Sequence, residues 1–390
     1  MAAARGFGYG ERPCAAAAAR SATMATLPAI DGLRTDDRIE QARPLPGRRA
    51  VDPEWMAHER DAVFGRTWNL AAHAGQFPEP GSYASVEVAG QPIVIVRDGD
   101  GLRAFYNVCR HRGGPLTQGC GRQRQFTCRY HGWSYALDGR VLRAPFMADE
   151  LARNAGTLDL KPVQVARWAN LVFVNLDPAA GPLAAFLGSL VADAAHLRLE
   201  RLHFHARRTY PVAANWKVYV DNYLEGYHVP AVHPGLNREI DFRRYVTQLG
   251  GNYSVQHVPI AVGSGEGRVY AADPDSPEAR YYWLFPNVML NCYQGLMQVN
   301  VVEPTGVDRC VVHFDWYLAA PPADDASRAR FEQLERFSDE VQAEDAGICA
   351  AVQRNVGSRG FEPGPYSAQY ETGVHQFHTL YARALRTNPT

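Results

Sequence analysis

The chain lacks any apolar run approaching the length of a bilayer span, so no transmembrane helix is expected. It also lacks a dominant charge: 40 Lys and Arg against 41 Asp and Glu leave a formal net charge of -1. So balanced a chain has no electrostatic case for binding nucleic acid or an anionic membrane surface. Cysteine is scarce, with seven residues scattered over 390 positions. An odd, dispersed set does not make the disulfide framework of a secreted domain, and a reducing cytoplasm is the expected compartment. No internal repeat is visible. The Ala-, Gly- and Arg-rich opening, "MAAARGFGYGERPCAAAAARSATMATLPAIDG", shows no hydrophobic periodicity, and its five consecutive alanines are too weakly apolar for a signal peptide. Residues 1–40 are therefore expected to form a disordered leader, with Met24 as an alternative start.

What is present becomes globular from about residue 51. Trp55, Met56, Val63, Phe64 and Trp68 recur at mainly helical spacing. The segment "GSYASVEVAGQPIVIVRDGDGLRAFYNVC" then alternates and breaks at "AGQP" and "DGDG", which predicts short strands joined by turns. "SYALDGRVL" predicts a hairpin turning at Asp138-Gly139, and "ANLVFVNLDP" a further strand. Further on, 281–304 and 308–321 are β-rich, while 327–355 is the longest helical segment. Runs of strands followed by helices, without regular βαβ alternation, predict an α+β fold.

Two clusters carry chemistry. In "NVCRHRGGPLTQGCGRQRQFTCRYHGWSY" a Cys-x-His pair and a Cys-x-x-His pair flank a basic, Gly-rich stretch. Cys109, His111, Cys128 and His131 permit a zinc site using all four on one ion, or a Rieske [2Fe–2S] cluster with thiolates on one iron and imidazoles on the other. Cys120, between them, is expected to be a small packed thiol.

The second cluster lies in "ANWKVYVDNYLEGYHVPAVHPGLN". A helix over 215–228 would set Asp221, Glu225 and His228 on one face, and Pro230 would end or bend it so that His233 returns from the next turn. Two histidines and a carboxylate make the facial triad of non-haem ferrous oxygenases, whereas a solvated polar stripe is the bland reading. The carboxylate is sought in the long helical segment. There Phe331, Leu334, Phe337, Val341, Ile348 and Val352 form an apolar stripe with one gap, and Asp345 falls in it beside Glu344. A carboxylate on a buried face calls for a cation or donors.

"CRHRGGPL" and "CRYHGWSY", followed by the "NWK…DN…E-x-x-H-x4-H" pattern and the Glu344-Asp345 pair, resemble the oxygenase (α) subunits of Rieske non-haem iron oxygenases. The resemblance runs from about residue 40 to the C-terminus. It implies that Cys109 and Cys128 hold one iron of the cluster and His111 and His131 the other. It implies His228, His233 and Asp345 on a mononuclear Fe(II), with Glu225 bridging the two centres and Asn222 close to the second. It further implies a small antiparallel-β Rieske domain with the N-terminal helix (41–165), then a catalytic domain (166–390) whose antiparallel sheet wraps a long helix.

The family takes electrons from NAD(P)H through a separate flavin- or ferredoxin-type reductase. No dinucleotide-binding Gly-rich turn or spare ferredoxin cysteine set is seen here. Members form homotrimers in which one subunit's cluster faces its neighbour's iron. Glutamate rather than aspartate at position 225 resembles the carnitine, choline and glycine betaine monooxygenase branch. The expected reaction is O2-dependent hydroxylation beside a quaternary ammonium nitrogen, the carbinolamine then collapsing in N-demethylation. The alternatives are an aromatic-ring hydroxylating α subunit and, in another class, an electron-transfer Rieske protein. Tyr281, Tyr282, Trp283, Phe285 and Tyr293 supply candidates for an aromatic cage.

Overall fold

The computed structural model describes residues 38–261, 269–270, 277–293 and 295–386. All but the last three residues of the expected leader lie outside them. Helix α1 (Pro53–Ala62) opens where Asp52 accepts the Glu54 N–H at 2.9 Å and Pro53 takes the first turn. The chain then builds a seven-stranded antiparallel sheet, in spatial order Asn69–His73, Leu171–Asn175, Pro162–Trp168, Gly101–Tyr106, Gln91–Asp98, Ser82–Val88 and Cys120–Arg122. Period-2 alternation along Gln91–Asp98 sends Val94 and Val96 to one face with Phe105, Phe126 and Tyr135, and Ile93 and Ile95 to the other with Val172 and Val174. The division expected after residue 165 falls inside the strand Pro162–Trp168; this sheet continues to Asn175. A small sheet (Phe126–Thr127, Ser134–Tyr135, Val141–Arg143) turns at Asp138-Gly139 as expected, with Gly139 at φ +92°.

A second seven-stranded antiparallel sheet follows, in the order His203–Val212, Arg309–Leu318, Leu296–Gly306, Val288–Tyr293, Glu278–Leu284, Tyr253–Pro259 and Val246–Leu249. Helices α2 (Trp216–Tyr223), α3 (Val229–Val232), α4 (Asp325–Val356) and α5 (Thr372–Arg386) complete it. A buried clamp fixes α2. Glu59 of α1 accepts the Trp216 indole N–H at 2.8 Å and the Lys217 ammonium at 2.6 Å, and also the Tyr381 hydroxyl from α5. The α+β architecture therefore agrees with the sequence reading.

Three local expectations need correction. The helix predicted over 215–228 stops at Tyr223, before Glu225 and His228. Gly226 explains the break: a Cβ there would lie 2.6 Å from the Tyr245 ring, so the chain passes under that ring as a turn. Pro230 then starts α3 instead of ending α2, in the first-turn position where its missing N–H costs nothing. The apolar stripe of α4 is buried at Leu334, but Ile348 and Val352 are 37% and 40% exposed. Among the described residues, no helix is long and apolar enough to cross a membrane.

Candidate metal centres

Cys109 and Cys128 sit at equivalent points of two matched loops. The Cys109 N–H donates to Gly114 O (2.9 Å) and Gly113 N–H returns to Cys109 O (3.0 Å). Cys128 repeats the pattern with Trp133 O (2.8 Å) and Gly132 N–H (3.0 Å). Gly113 and Gly132 make the turns at φ +74° and +72°, a region that favours glycine. Gly114 has a different reason: a Cβ there would stand 2.9 Å from Cys128 Sγ. Both thiols are buried, while His131 is exposed and its ring centroid lies 4.6 Å from that of His111.

The donor set suits a cluster. His111 Nδ1 is buried with no partner in the protein, its ring stacked on Trp133 at 5.1 Å. Desolvation, then the nearby His131 and Arg112, holds the His111 pKa below its ordinary value, which keeps a lone pair available for a metal. Burial raises the Cys128 thiol, so its thiolate calls for a cation. The Tyr135 hydroxyl lies 3.3 Å from Cys109 Sγ and accepts the Arg110 N–H at 3.0 Å. Cys120 is not packed as expected. It is exposed on the edge strand, where Gln76 Nε2 donates to its sulfur at 3.3 Å.

The second centre draws on α3's flanks and on α4. His228 Nε2 is 3.1 Å from His233 Nε2, and Asp345 Oδ1 is 3.0 Å from the latter and 3.7 Å from the former. Each imidazole is oriented through its other nitrogen. Glu225 Oε1 accepts from His228 Nδ1 at 2.6 Å, and Glu344 Oε2 accepts from His233 Nδ1 at 2.6 Å. With Nδ1 protonated, both Nε2 lone pairs point at one space together with a carboxylate oxygen. Such an arrangement repels itself without a cation and suits one closely. Burial opposes charging His233, but hydrogen bonds and charge from Asp345 and Glu344 outweigh it and raise its pKa.

Glu225 also braces the backbone, since its Oε2 takes the His228 N–H at 3.1 Å, in the turn that opens α3. Asn222 Nδ2 donates to Asp345 Oδ1 at 2.6 Å. Asp221, placed beside Glu225 by the sequence reading, pairs instead with buried His378 at 2.9 Å, whose other nitrogen meets the Tyr366 hydroxyl at 2.6 Å. Glu344, weighed as a rival ligand, holds His233 from behind. Adjacent helix positions differ by about 100°, so one carboxylate faces the triad space and the other the far side of the ring.

Two cavities share Asn222, Glu225 and His228 as walls. The inner one, about 110 Å³, reaches His233 and Asp345 and is lined by Tyr245, Tyr270, Tyr281, Tyr293 and Phe337. Of the expected cage residues, Tyr281 and Tyr293 are there. Tyr282 packs into one core cluster and Trp283 and Phe285 into another. The sequence reading missed Tyr245, Tyr270 and Phe337, which come from separate segments and meet only in the fold. Tyr270 lies tilted against Tyr293, with ring centroids 4.8 Å apart, and meets Phe337 edge-on at 5.7 Å. Burial pushes the Tyr281 hydroxyl up to about 12, so it stays neutral. The outer cavity, about 390 Å³, is lined by Asp221, Glu371, Ile348, Val352 and Phe361. Burial, and repulsion from Glu225 and Asp221, raise Glu371 above the usual carboxylate range.

Residues 67–164 match the Rieske [2Fe-2S] domain, and residues 199–387 match the ring hydroxylating alpha subunit (catalytic domain). The molecule is thus an oxygenase α subunit, an iron enzyme with a Rieske domain ahead of its catalytic domain. More narrowly, the chain belongs to the Rieske oxygenase family that includes the choline and carnitine monooxygenases. It is 31% identical to choline monooxygenase of Atriplex hortensis over 89% of this chain and 79% of that one. It is equally 31% identical to the carnitine monooxygenase oxygenase subunit of Escherichia coli K12, over 89% and 95%. The structure of the quaternary ammonium Rieske monooxygenase CntA in complex with L-carnitine superposes with a TM-score of 0.78 at 28% identity, covering 90% of this chain and 97% of the other. Naphthalene 1,2-dioxygenase, at 20% identity and a TM-score of 0.70, shares the fold. The family carries a Rieske cluster and a mononuclear iron and draws electrons from NAD(P)H through a reductase. As part of such a multicomponent system, the chain is an oxidoreductase, which sets aside a purely electron-carrying Rieske protein.

Proposed function

We propose that this subunit is a monooxygenase that hydroxylates a small quaternary ammonium compound. The observation that carries the reading is the inner cavity. Neutral aromatic rings line it beside the His228–His233–Asp345 cluster, and no Lys or Arg stands among its described lining residues. Ring faces attract a desolvated cation by about 2 kcal/mol or more. Aromatic-ring hydroxylation, the runner-up, would need no cation recognition.

In this reading Cys109 and Cys128 hold one iron of the cluster, His111 and His131 the other, and His228, His233 and Asp345 hold Fe(II). When bound, the two centres supply one-electron transfer and O2 activation. The remaining residues position these groups. Glu225 and Glu344 fix the imidazole tautomers, Asn222 holds Asp345, and the tyrosine-lined cavity orients the substrate and excludes water.

The partner of the outer cavity is a second copy of this chain, within a homotrimer. Exposed His131 and 63%-exposed Tyr130 stand among Arg110, Arg112 and Arg129 at the Rieske tip. The basic tip would meet an outer cavity whose wall carries Asp221, Glu225 and Glu371, and also Arg49 and Lys217, the latter paired with Glu59. Electrons come from a separate flavin- or ferredoxin-type reductase, and the compartment in this reading is a reducing cytoplasm. The test is oxygen uptake with a generic reductase across quaternary amines, their neutral isosteres and aromatic acids. Coupled uptake with a quaternary amine, much weaker with its isostere, is expected. Turnover of aromatic acids alone would establish the runner-up instead.

A further inference from the structure

The charges of the chain are unevenly spread. Between Arg110 and Lys161 the sequence carries nine basic residues against four acidic ones, although the whole chain has a net charge of -1. Three of those acids are occupied. Asp138 pairs with Arg140 at 2.8 Å, Glu150 pairs with Arg153 at 3.3 Å, and Asp159 accepts the Val141 N–H at 2.9 Å. Arg122 finds Glu79 outside the stretch, at 2.5 Å. Arg110, Arg112, Arg124, Arg129, Arg143 and Lys161 are left without an ion pair among the described residues.

Two of these cations, Arg110 and Lys161, line a recess of about 320 Å³ together with Gln91, Tyr106 and Val108. Burial alternates along this segment: Asn107 and Cys109 are buried, while Tyr106, Val108 and Arg110 are half-buried. One face of the extended chain thus meets the recess and the other holds the proposed cluster thiol. The Tyr106 N–H donates to Lys161 O at 3.1 Å, which brings Lys161 alongside. Arg110 Nη2 donates to Thr157 O at 3.3 Å, but its Nε is buried with no partner. An unmet guanidinium N–H and an unpaired ammonium, with no carboxylate among the described lining residues, call for an anionic visitor.

We propose that this recess is where the electron-donating reductase docks, through a face that bears carboxylates. This rests on the separate reductase of the reading above and adds the place and chemistry of its contact. Position favours the reductase over a second copy of the chain. Val108 and Arg110 flank Cys109, so the recess wall lies one residue to either side of a cluster thiol. The neighbouring subunit takes the histidine side, where His131 and Tyr130 are exposed. A cluster that passes each electron on at its histidines needs another approach for the next, and the cysteine side supplies it. The partner's cofactor gives up one electron per docking, drawn from NAD(P)H, and the cluster, when bound, takes it. Long-range attraction speeds such encounters, and a small exposed contact releases the partner after each transfer.

The experiment measures binding of a ferredoxin-type reductase, chosen because it reduces the wild-type cluster, to the cluster-loaded oxygenase. Lys161→Glu should weaken that binding about tenfold and raise the KM for reductase by the same factor, while Lys161→Arg should keep both within about twofold. The salt dependence of association should flatten in Lys161→Glu, because a pairing charge is gone. Chemically reduced Lys161→Glu should complete a single turnover at the wild-type rate, since transfer between the centres does not pass the recess. Arg110→Gln, on another wall, should also weaken reductase binding, and the Rieske absorption band reports folding of each variant. Arg336→Glu makes the same charge change on an exposed turn of α4 and should leave reductase binding unchanged. Unchanged binding in both Lys161→Glu and Arg110→Gln, an equal loss in Arg336→Glu, or slow single turnover in Lys161→Glu would overturn the docking site. So would inorganic phosphate that binds the recess at constant ionic strength without displacing the reductase. A wild-type cluster that dithionite reduces but no NAD(P)H-dependent reductase does would overturn the separate reductase itself, and the recess with it.

Discussion

At the Rieske tip all four proposed ligands fall between residues 109 and 131, each pair on its own glycine turn. At the second centre they span residues 228 to 345 and come from a broken helical segment and a long helix. The tip is made by local backbone hydrogen bonds that two loops repeat. The second centre is made by carboxylates that hold side chains from elsewhere in the chain. A site built from loops is thus written as a motif, and a site built from packed helices is written as a helical register. Each should fail in its own way.

The largest effect should follow removal of the distant ligand. Asp345→Ala should abolish turnover and lose the mononuclear iron while the Rieske absorption persists, as metal analysis and visible spectra would show. Glu344→Gln should retain measurable turnover, reduced about 10–100-fold through loss of His233 orientation. An inactive Glu344 variant beside an active Asp345 variant would reverse the assignment. On the other side, Gly114→Ala should empty the tip, because the new Cβ meets Cys128 Sγ at 2.9 Å. Acid-labile sulfide should fall sharply with the second centre still loaded.

Glu225→Gln tests the junction of the two regions. Both centres should fill and the reductase should still reduce the cluster, but single-turnover transfer to the mononuclear site should slow about 100-fold. Unchanged single-turnover kinetics would remove Glu225 from the relay. A smaller effect, on stability, is expected from Glu59→Ala, which leaves buried Lys217 unpaired. Unfolding free energy should drop by about 3–5 kcal/mol, with the second centre losing iron before the tip loses colour. The smallest change belongs to Cys120→Ser. This exposed thiol sits between the cluster cysteines in sequence, yet its replacement should shift stability by no more than about 0.5 kcal/mol and leave the Rieske spectrum intact.

The same contrast explains what could be read without coordinates. The proposed Rieske ligands could be named because ligands and glycine turns share one short stretch, on which the family resemblance rests. The gap in the apolar stripe pointed to the Glu344-Asp345 pair and the family resemblance chose Asp345 within it, although the stripe's exposed end at Ile348 and Val352 was not foreseen. The break after Tyr223 was missed because its cause, the Tyr245 ring over Gly226, lies on another segment. The cage was half legible for a related reason. Alternation along Glu278–Leu284 separates Tyr281 from Tyr282 but cannot reveal which face meets Tyr270 and Phe337.

Asn222, Glu225 and His228 form a wall common to both cavities. A wall with two faces gives a thermodynamic coupling a place to act. Any adjustment of Glu225 that improves the fit of an occupant on one side changes the surface offered on the other. Filling the inner cavity then alters the affinity of the outer one by some factor, and reciprocity requires that filling the outer cavity alter the inner by the same factor. If the outer cavity takes a second copy of the chain as proposed, substrate affinity measured on a separated subunit and on the trimer should differ, and their ratio would be the coupling constant.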